Sequence, residues 1–154
     1  MTLPWAAPDS HLGRFLLEPS VRTAILVYII IVAVIYHYLL APLYNPQGLQ
    51  LLATTIEHVA VPALYFLDWF LFVPKGTLRF RSAFAWLGFP LVYAGYSLAN
   101  GATTGFYPYP FLDVTKLHYE RVLMNMGMLV AVFLGLALCL VALGRWLSRL
   151  RAAT

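Results

Sequence analysis

Residues 48–72, "GLQLLATTIEHVAVPALYFLDWFLF", form a nearly unbroken apolar run with a glutamate and a histidine, Glu57 and His58, near its middle. The run exceeds the roughly 20 residues that a helix needs to cross a hydrocarbon core of about 30 Å. Composition points the same way, because 62% of the chain is hydrophobic and only 10% is charged, whereas soluble domains are about a quarter charged. The sequence therefore predicts an all-α integral membrane protein, a four-helix transmembrane bundle with no soluble domain.

The four predicted spans lie within a membrane domain at residues 22–146. They cover about 23–44, 49–73, 82–99 and 122–144. Residues 1–21 are predicted to be a cytoplasmic or interfacial lead-in, which either lies along the membrane surface or is a frayed polar segment. Because these residues lack the basic start and apolar core of a secretory signal, we expect the first span to be retained. Residues 147–154 are predicted to be a basic cytoplasmic tail.

The basic residues are distributed unevenly over the predicted loops and ends. Arg14 and Arg22 precede span one, Lys75, Arg79 and Arg81 follow span two, and Arg145, Arg149 and Arg151 follow span four, whereas the other side has only Lys116 and Arg121. This positive-inside pattern predicts a multi-pass membrane protein with both termini in the cytoplasm. The net charge of +4 is then explained by topology and anionic lipid headgroups. The expected partners are membrane lipids, with no nucleic acid, and a homo-oligomer or a partner helix is left open.

Glu57 and His58 are the first candidate site, because an ionisable group in hydrocarbon costs about 2.5 to 3.5 kcal/mol and is a functional hypothesis by default. Thr54 lies one helical turn before them and is predicted to line the same cavity. Pro62 has no N–H, so the carbonyl of His58 loses its helical donor and a kink is predicted there. Pro90 predicts the same loss at Trp86. The alternative is that Glu57 and His58 only hydrogen-bond across helices.

The loop "FYPYPFLD" at 106–113 adds Tyr107, Tyr109 and Asp113 as candidate residues at the mouth of an outward-facing cavity. Alternatively, the tyrosines only form part of the aromatic belt found at the level of lipid headgroups and have no role in a site. Asp68 is expected to be a structural carboxylate anchored by Lys75, Arg79 or Arg81, and Asn125 a structural polar partner. His37, between two tyrosines, is interpreted as an interface residue.

No cofactor is predicted, because the chain lacks glycine-rich phosphate loops and haem-attachment motifs. The histidines match no zinc spacing, so no metal site is predicted either. Cys139 is the only cysteine, which excludes an internal disulfide.

The segments "YHYLLAPLYNPQGLQLLATTIEHVAVPALYFLDWFLF" (36–72) and "GFYPYPFLD" (105–113) resemble bacterial six-span membrane proteins. That group is distantly similar to the androgen-induced and androgen-dependent membrane hydrolases of animals, which cleave fatty acid esters of hydroxy fatty acids. The resemblance implies that His58 is the catalytic histidine. The family's threonine nucleophile lies on a helix before the first span seen here, so the resemblance implies a chain shortened by about two spans.

Two functions follow as hypotheses. The first is a membrane-embedded lipid-ester hydrolase, or a fragment of one, with His58 as general base and its nucleophile supplied by helices upstream of this chain. The second is a non-catalytic lipid-binding or structural membrane protein.

Overall fold

The computed structural model describes residues 10–152, and every element in that range is helical. The α-helices are α1 His11–Leu17, α2 Pro19–Ile35, α3 Leu49–Thr55, α4 Val61–Phe72, α5 Phe80–Trp86, α6 Gly88–Thr104 and α7 Val114–Ala152. Two π-helical segments, Tyr36–Leu40 and Ile56–Ala60, extend α2 and join α3 to α4, and short 3₁₀ turns cover Ala41–Leu43 and Pro110–Leu112. The all-α prediction is confirmed.

Three helical runs are long and apolar enough to cross a membrane. They are Pro19–Leu43, Leu49–Phe72 and Val114–Ala152, with 25, 24 and 39 residues. They correspond to the predicted spans 23–44, 49–73 and 122–144. The first run begins earlier than predicted, the second agrees with its prediction within one residue, and the third extends further at both ends.

The third predicted span, 82–99, is not one continuous helix. It breaks at Leu87 into α5 and α6, and α6 has 17 residues. Pro90 explains the break, because its ring excludes the carbonyl four residues earlier, that of Trp86, with which α5 ends. The disruption predicted at Trp86 is therefore present. At about 1.5 Å per residue, α6 is about as long as the shortest transmembrane helices.

Part of the predicted lead-in is an ordered helix. The hydroxyl of Ser10 caps α1 by accepting a hydrogen bond from the backbone N–H of Gly13 at 2.9 Å. The rest of the lead-in, residues 1–9, lies outside the described residues. At the other end α7 continues through most of the predicted basic tail to Ala152, and residues 153 and 154 are again outside the described range.

The chain divides into two compact units, Met1–Leu78 with Leu140–Thr154 and Arg79–Cys139. In the first unit α2 packs against α4. One end of this unit, here called the basic end, contains the start of α2, the end of α4 and the last turns of α7. The opposite end, here called the histidine end, contains the two π-helical segments and α3.

Buried polar contacts hold the helices together at the basic end. Trp69 is completely buried, and its indole Nε1 donates to the hydroxyl of Thr23 at 2.9 Å. That hydroxyl donates in turn to the carbonyl of Pro19 at 2.7 Å. A buried indole N–H needs such a partner, so this chain of two bonds fixes α4 against the first turn of α2.

Lys75 caps the carboxyl end of α4. Its ammonium Nζ donates to the carbonyls of Phe70 at 3.0 Å and Val73 at 2.8 Å, and it lies 4.7 Å from the centre of the Trp69 ring. Carbonyls at a helix end have no intrahelical donor, and a cation there also offsets the helix dipole. Lys75 was expected as a loop charge or as an anchor of Asp68, and its role as a helix cap was not predicted.

The predicted partner of Asp68 is wrong. The carboxylate pairs with Arg22 of α2 rather than with Lys75, Arg79 or Arg81. The predicted partners were chosen because they follow Asp68 closely in sequence, whereas Arg22 reaches it through the packing of α2 on α4. The structural role expected for Asp68 is present, but it joins two helices instead of anchoring one helix end.

The second unit contains α5, α6, the loop 105–113 and the first part of α7. α6 ends at Gly105, whose φ of 75° lies in the left-handed region that glycine adopts without strain. Within α7, His118 has φ 58° and ψ 159°, a conformation that costs a non-glycine residue about 1 to 3 kcal/mol. The helix is therefore interrupted one turn after it begins.

Candidate functional site

Both π-helical segments of the first unit precede a proline. In each, the closing backbone bond spans five residues: the N–H of Ala41 donates to the carbonyl of Tyr36, and that of Val61 donates to the carbonyl of Ile56. Pro42 and Pro62 follow these N–H groups directly and supply none themselves. The wider turn accommodates the missing donor, and such segments are frequent at functional sites. At Pro62 the helical hydrogen-bond pattern is thus disrupted as a π-helical turn, and a bend of the helix axis there stays a prediction.

Each π-helical segment carries one histidine in the same local geometry. Nδ1 of His37 lies 2.8 Å from the carbonyl oxygen of Ala33, and Nδ1 of His58 lies 3.0 Å from that of Thr54. A carbonyl can only accept, so Nδ1 carries the proton and donates it in both rings. In the neutral imidazole this leaves Nε2 as the acceptor with a free lone pair.

The ring of Tyr36 connects the two histidines. It stacks on His58 with 3.9 Å between ring centroids and 26° between planes. It also meets the edge of His37 at 5.4 Å and 89°. Tyr36 and His58 are half-buried and His37 is exposed. We call Tyr36, His37 and His58 the histidine site.

The other residues predicted around His58 contribute less than expected. Thr54 supports the ring through its backbone carbonyl. The hydroxyl of the neighbouring Thr55 donates to the carbonyl of Leu51 at 2.8 Å, as expected for a threonine within a helix. Glu57 is exposed, and its carboxylate has no ion pair within residues 10–152. Tyr36 was not predicted to belong to the site, although it is an aromatic residue directly before His37 in the sequence.

The predicted loop residues belong to the second unit, where they contact one another and α6. The ring of Tyr107 lies against Gly101, where a Cβ would overlap it. Tyr109 stacks on Phe111 with 5.1 Å between centroids and meets Tyr93 edge-on at 6.3 Å. The loop "FYPYPFLD" therefore packs on α6 through its aromatic rings.

Asp113 and Asn125 hold the same loop to α7. Oδ1 of Asp113 accepts from the hydroxyl of Thr115 at 2.6 Å and from its backbone N–H at 3.0 Å. Nζ of Lys116 lies 3.2 Å from the second carboxylate oxygen. The Thr115 hydroxyl, followed by Lys116, holds the pKa of Asp113 below its usual range despite the opposing effect of burial. Asn125 donates to the carbonyl of Phe111 at 2.9 Å, which ties the loop to α7.

The candidate residues thus form two sets, each described within its own unit. The histidine site with Thr54 and Glu57 lies in the first unit, and Tyr107, Tyr109 and Asp113 lie in the second. A common cavity lined by both sets stays a prediction.

The histidine site can accept a proton at Nε2 of either ring, and its tyrosine can stack on a planar group. Between Ser10 and Ala152, no group of three or more histidine, cysteine, aspartate or glutamate side chains is placed to hold a metal ion. Three described threonines use their hydroxyls on helix carbonyls: Thr55 on Leu51, Thr103 on Ala99 and Thr104 on Asn100. Comparison with protein-family models, characterised proteins and solved structures found no match to this chain.

Proposed function

We propose that the chain is a multi-pass membrane protein in which the histidine site acts on a lipid ester, with His58 as general base. The observation that carries this proposal is the bond from Nδ1 of His58 to the carbonyl of Thr54. That bond orients the ring and leaves Nε2 as the basic nitrogen, the arrangement that a hydrolytic histidine needs. The resemblance to the membrane hydrolases, which assigns the same residue, supports it independently.

In the proposed reaction Nε2 takes a proton from an attacking oxygen as that oxygen bonds to the ester carbonyl carbon. Collapse of the tetrahedral intermediate breaks the bond to the alcohol, which leaves with the proton returned by the imidazolium. The stacked Tyr36 ring keeps the imidazole plane fixed during both transfers. The attacking oxygen in this proposal is either water or a hydroxyl from a helix outside this chain. The hydroxyls of Thr55, Thr103 and Thr104 are engaged within their own helices.

The membrane assignment is supported by the three long apolar helices. The most apolar 18-residue stretch of each has a mean hydropathy of 2.5, 1.2 and 2.7, respectively. From the distribution of basic residues we propose that the basic end faces the cytoplasm. Reporter fusions after residues 46, 78, 112 and 154 should then read outside, inside, outside, inside. Another order would refute the orientation.

The hydrolase proposal is tested by replacing His58 with glutamine, which keeps hydrogen-bonding capacity and removes proton transfer. Loss of a general base typically costs about 10² to 10⁴-fold in rate. Hydrolysis of a fluorogenic long-chain ester is measured for the chain in detergent, and for the chain together with any sequence that precedes Met1 in its reading frame. The matched control is His11→Gln on the exposed helix α1.

We expect the His58→Gln variant to lose hydrolysis while its thermal stability and that of the control stay unchanged. Equal activity in the His58→Gln variant and the parent would remove the catalytic role.

A second candidate function, a structural role in a non-catalytic membrane protein, is favoured by the 3.9 Å stacking of His58 on Tyr36. This contact joins two predicted spans without any substrate. On this alternative the His58→Leu variant loses about 0.6 to 2 kcal/mol of stability, because the ring and its hydrogen bond both disappear. The parent would then show no ester hydrolysis in either form of the chain.

A further inference from the structure

A cleft of about 200 Å³ opens at the basic end of the first unit, away from the histidine site. Its lining residues are Pro74, Lys75, Gly76, Leu147, Ser148 and Arg151. One wall is the turn that follows α4, and the other is formed by the last turns of α7. Both walls lie at the ends of helices that are long enough to cross a membrane. In the proposed topology this end of the unit lies near the lipid headgroups.

The donors in this basic cleft are held in place before any ligand arrives. Lys75 is only 4% exposed, and its Nζ is oriented by the carbonyls of Phe70 and Val73. An ammonium has three N–H donors, so two are engaged and a third remains for a ligand. Nη2 of Arg151 lies 3.4 Å from the same Phe70 carbonyl, and a guanidinium has five N–H donors.

The charge balance of the cleft favours an anion. The carboxyl ends of α4 and α7 each contribute about half a negative charge, and Lys75 and Arg151 contribute two positive charges. None of the six lining residues is acidic, and the two charged ones, Lys75 and Arg151, are both cations. The nearby Arg22 does not change this sign, since Asp68 already neutralises it. Consistently, burial, followed by the positive charges of Arg151 and Arg22, lowers the pKa of Lys75.

We propose that the basic cleft binds a phosphate group, with Lys75 and Arg151 as its charged donors and Ser148 as a hydroxyl donor. Hydrogen bonds between such cations and phosphate oxygens are among the stronger ones in proteins. The phosphate can belong to an anionic phospholipid headgroup or to a free phosphate ion, and the experiment separates the two sources. This site is independent of the proposed ester hydrolysis.

The test is the shift in melting temperature of the purified full chain in zwitterionic detergent on titration with dioctanoyl phosphatidylglycerol. Dioctanoyl phosphatidylcholine and inorganic phosphate are titrated in parallel. The variants Arg151→Gln and Arg149→Gln remove the same charge from the same end of α7, but only Arg151 lines the cleft. We expect Arg149→Gln to bind like the parent, and Arg151→Gln to bind about tenfold or more weakly, as expected for loss of a charged hydrogen bond.

A third variant changes the shape of the cleft and leaves its charge intact. In Gly76→Ala the added Cβ would lie 3.1 Å from Oγ of Ser148, which narrows the cleft, so binding should weaken while the melting temperature without ligand changes little. A response to phosphatidylglycerol alone identifies the lipid headgroup, and an equal response to inorganic phosphate identifies the free ion. Equal losses in Arg149→Gln and Arg151→Gln, or no response to either anion, would overturn the proposal.

Discussion

The two ends of the first unit use polar residues in opposite ways. At the basic end, Thr23, Trp69 and Lys75 are buried. Thr23 and Trp69 hydrogen-bond each other between α2 and α4, and Lys75 bonds to the carbonyls at the end of α4. At the histidine end, no residue of Tyr36–Leu43 or Leu49–Ala60 is buried. Polar groups there bond mainly to carbonyls of their own helix, as His37 and Thr55 do.

This difference separates stability from chemistry within one unit. The buried hydrogen bond between Thr23 and Trp69 fixes how α2 and α4 pack, because leaving either group unpaired is costly. Open polar groups in irregular helix contribute little to packing, and they are accessible to a substrate or to further helices. We therefore assign the folding stability of the unit chiefly to the basic end, and its proposed activity to the histidine end.

Replacing one aromatic residue at each end should give the largest difference in stability between the two ends. Trp69→Ala removes a completely buried indole and should lower the free energy of unfolding by about 3 to 5 kcal/mol. Tyr36→Ala removes a half-buried ring and its stacking on His58, for which about 1 kcal/mol is expected. Chemical unfolding in detergent measures both, and an equal loss would contradict the assignment.

A pair of threonines gives a matched test of intermediate size. Thr23→Val leaves the buried indole N–H of Trp69 without its acceptor, at a cost of about 1 to 3 kcal/mol. Thr55→Val removes a hydroxyl that serves only the carbonyl of Leu51, so its effect should stay within about 0.5 kcal/mol. The same unfolding measurement applies, and a larger loss in Thr55→Val than in Thr23→Val would reverse the roles of the two ends.

The smallest effect concerns the charged residues. The side chain of Asp68 is 42% exposed, so a double-mutant cycle with Arg22→Met and Asp68→Leu should give a coupling of only about 0.2 to 1 kcal/mol. The coupling should shrink in 1 M salt, where the screening length is about 3 Å. The corresponding cycle of His37→Gln and Glu57→Gln should be additive within about 0.5 kcal/mol. Strong coupling there would show that the histidine end contains an ion pair.

The sequence was most informative where a signal is local. Apolar runs predicted the helices, and Pro62 and Pro90 predicted the two disruptions. Each of these depends on residues within one or two turns of the chain. The form of the disruption at Pro62, a π-helical turn, follows from how α3 and α4 continue on either side, which the proline alone does not specify.

Contacts between distant segments were not predictable in the same way. Asp68 was assigned to nearby basic residues, whereas its partner, Arg22, lies 46 residues earlier. Tyr36 on His58 and Thr23 on Trp69 depend equally on the register between α2 and the second span. Apolar periodicity does not set that register here, because both helices are hydrophobic on all sides, as expected for helices in a membrane.

Amide hydrogen exchange of the chain in lipid nanodiscs, read by mass spectrometry, tests the central claim most directly, because it compares the two ends within single helical runs. We expect peptides from 22–31 and 65–72 to exchange at least about tenfold more slowly than peptides from 36–43 and 51–60, a difference of about 1.4 kcal/mol in local opening. The bilayer shields both halves of each run, so the difference would report packing and hydrogen bonding. Equal protection along each run, or stronger protection of 36–43 and 51–60, would contradict the account.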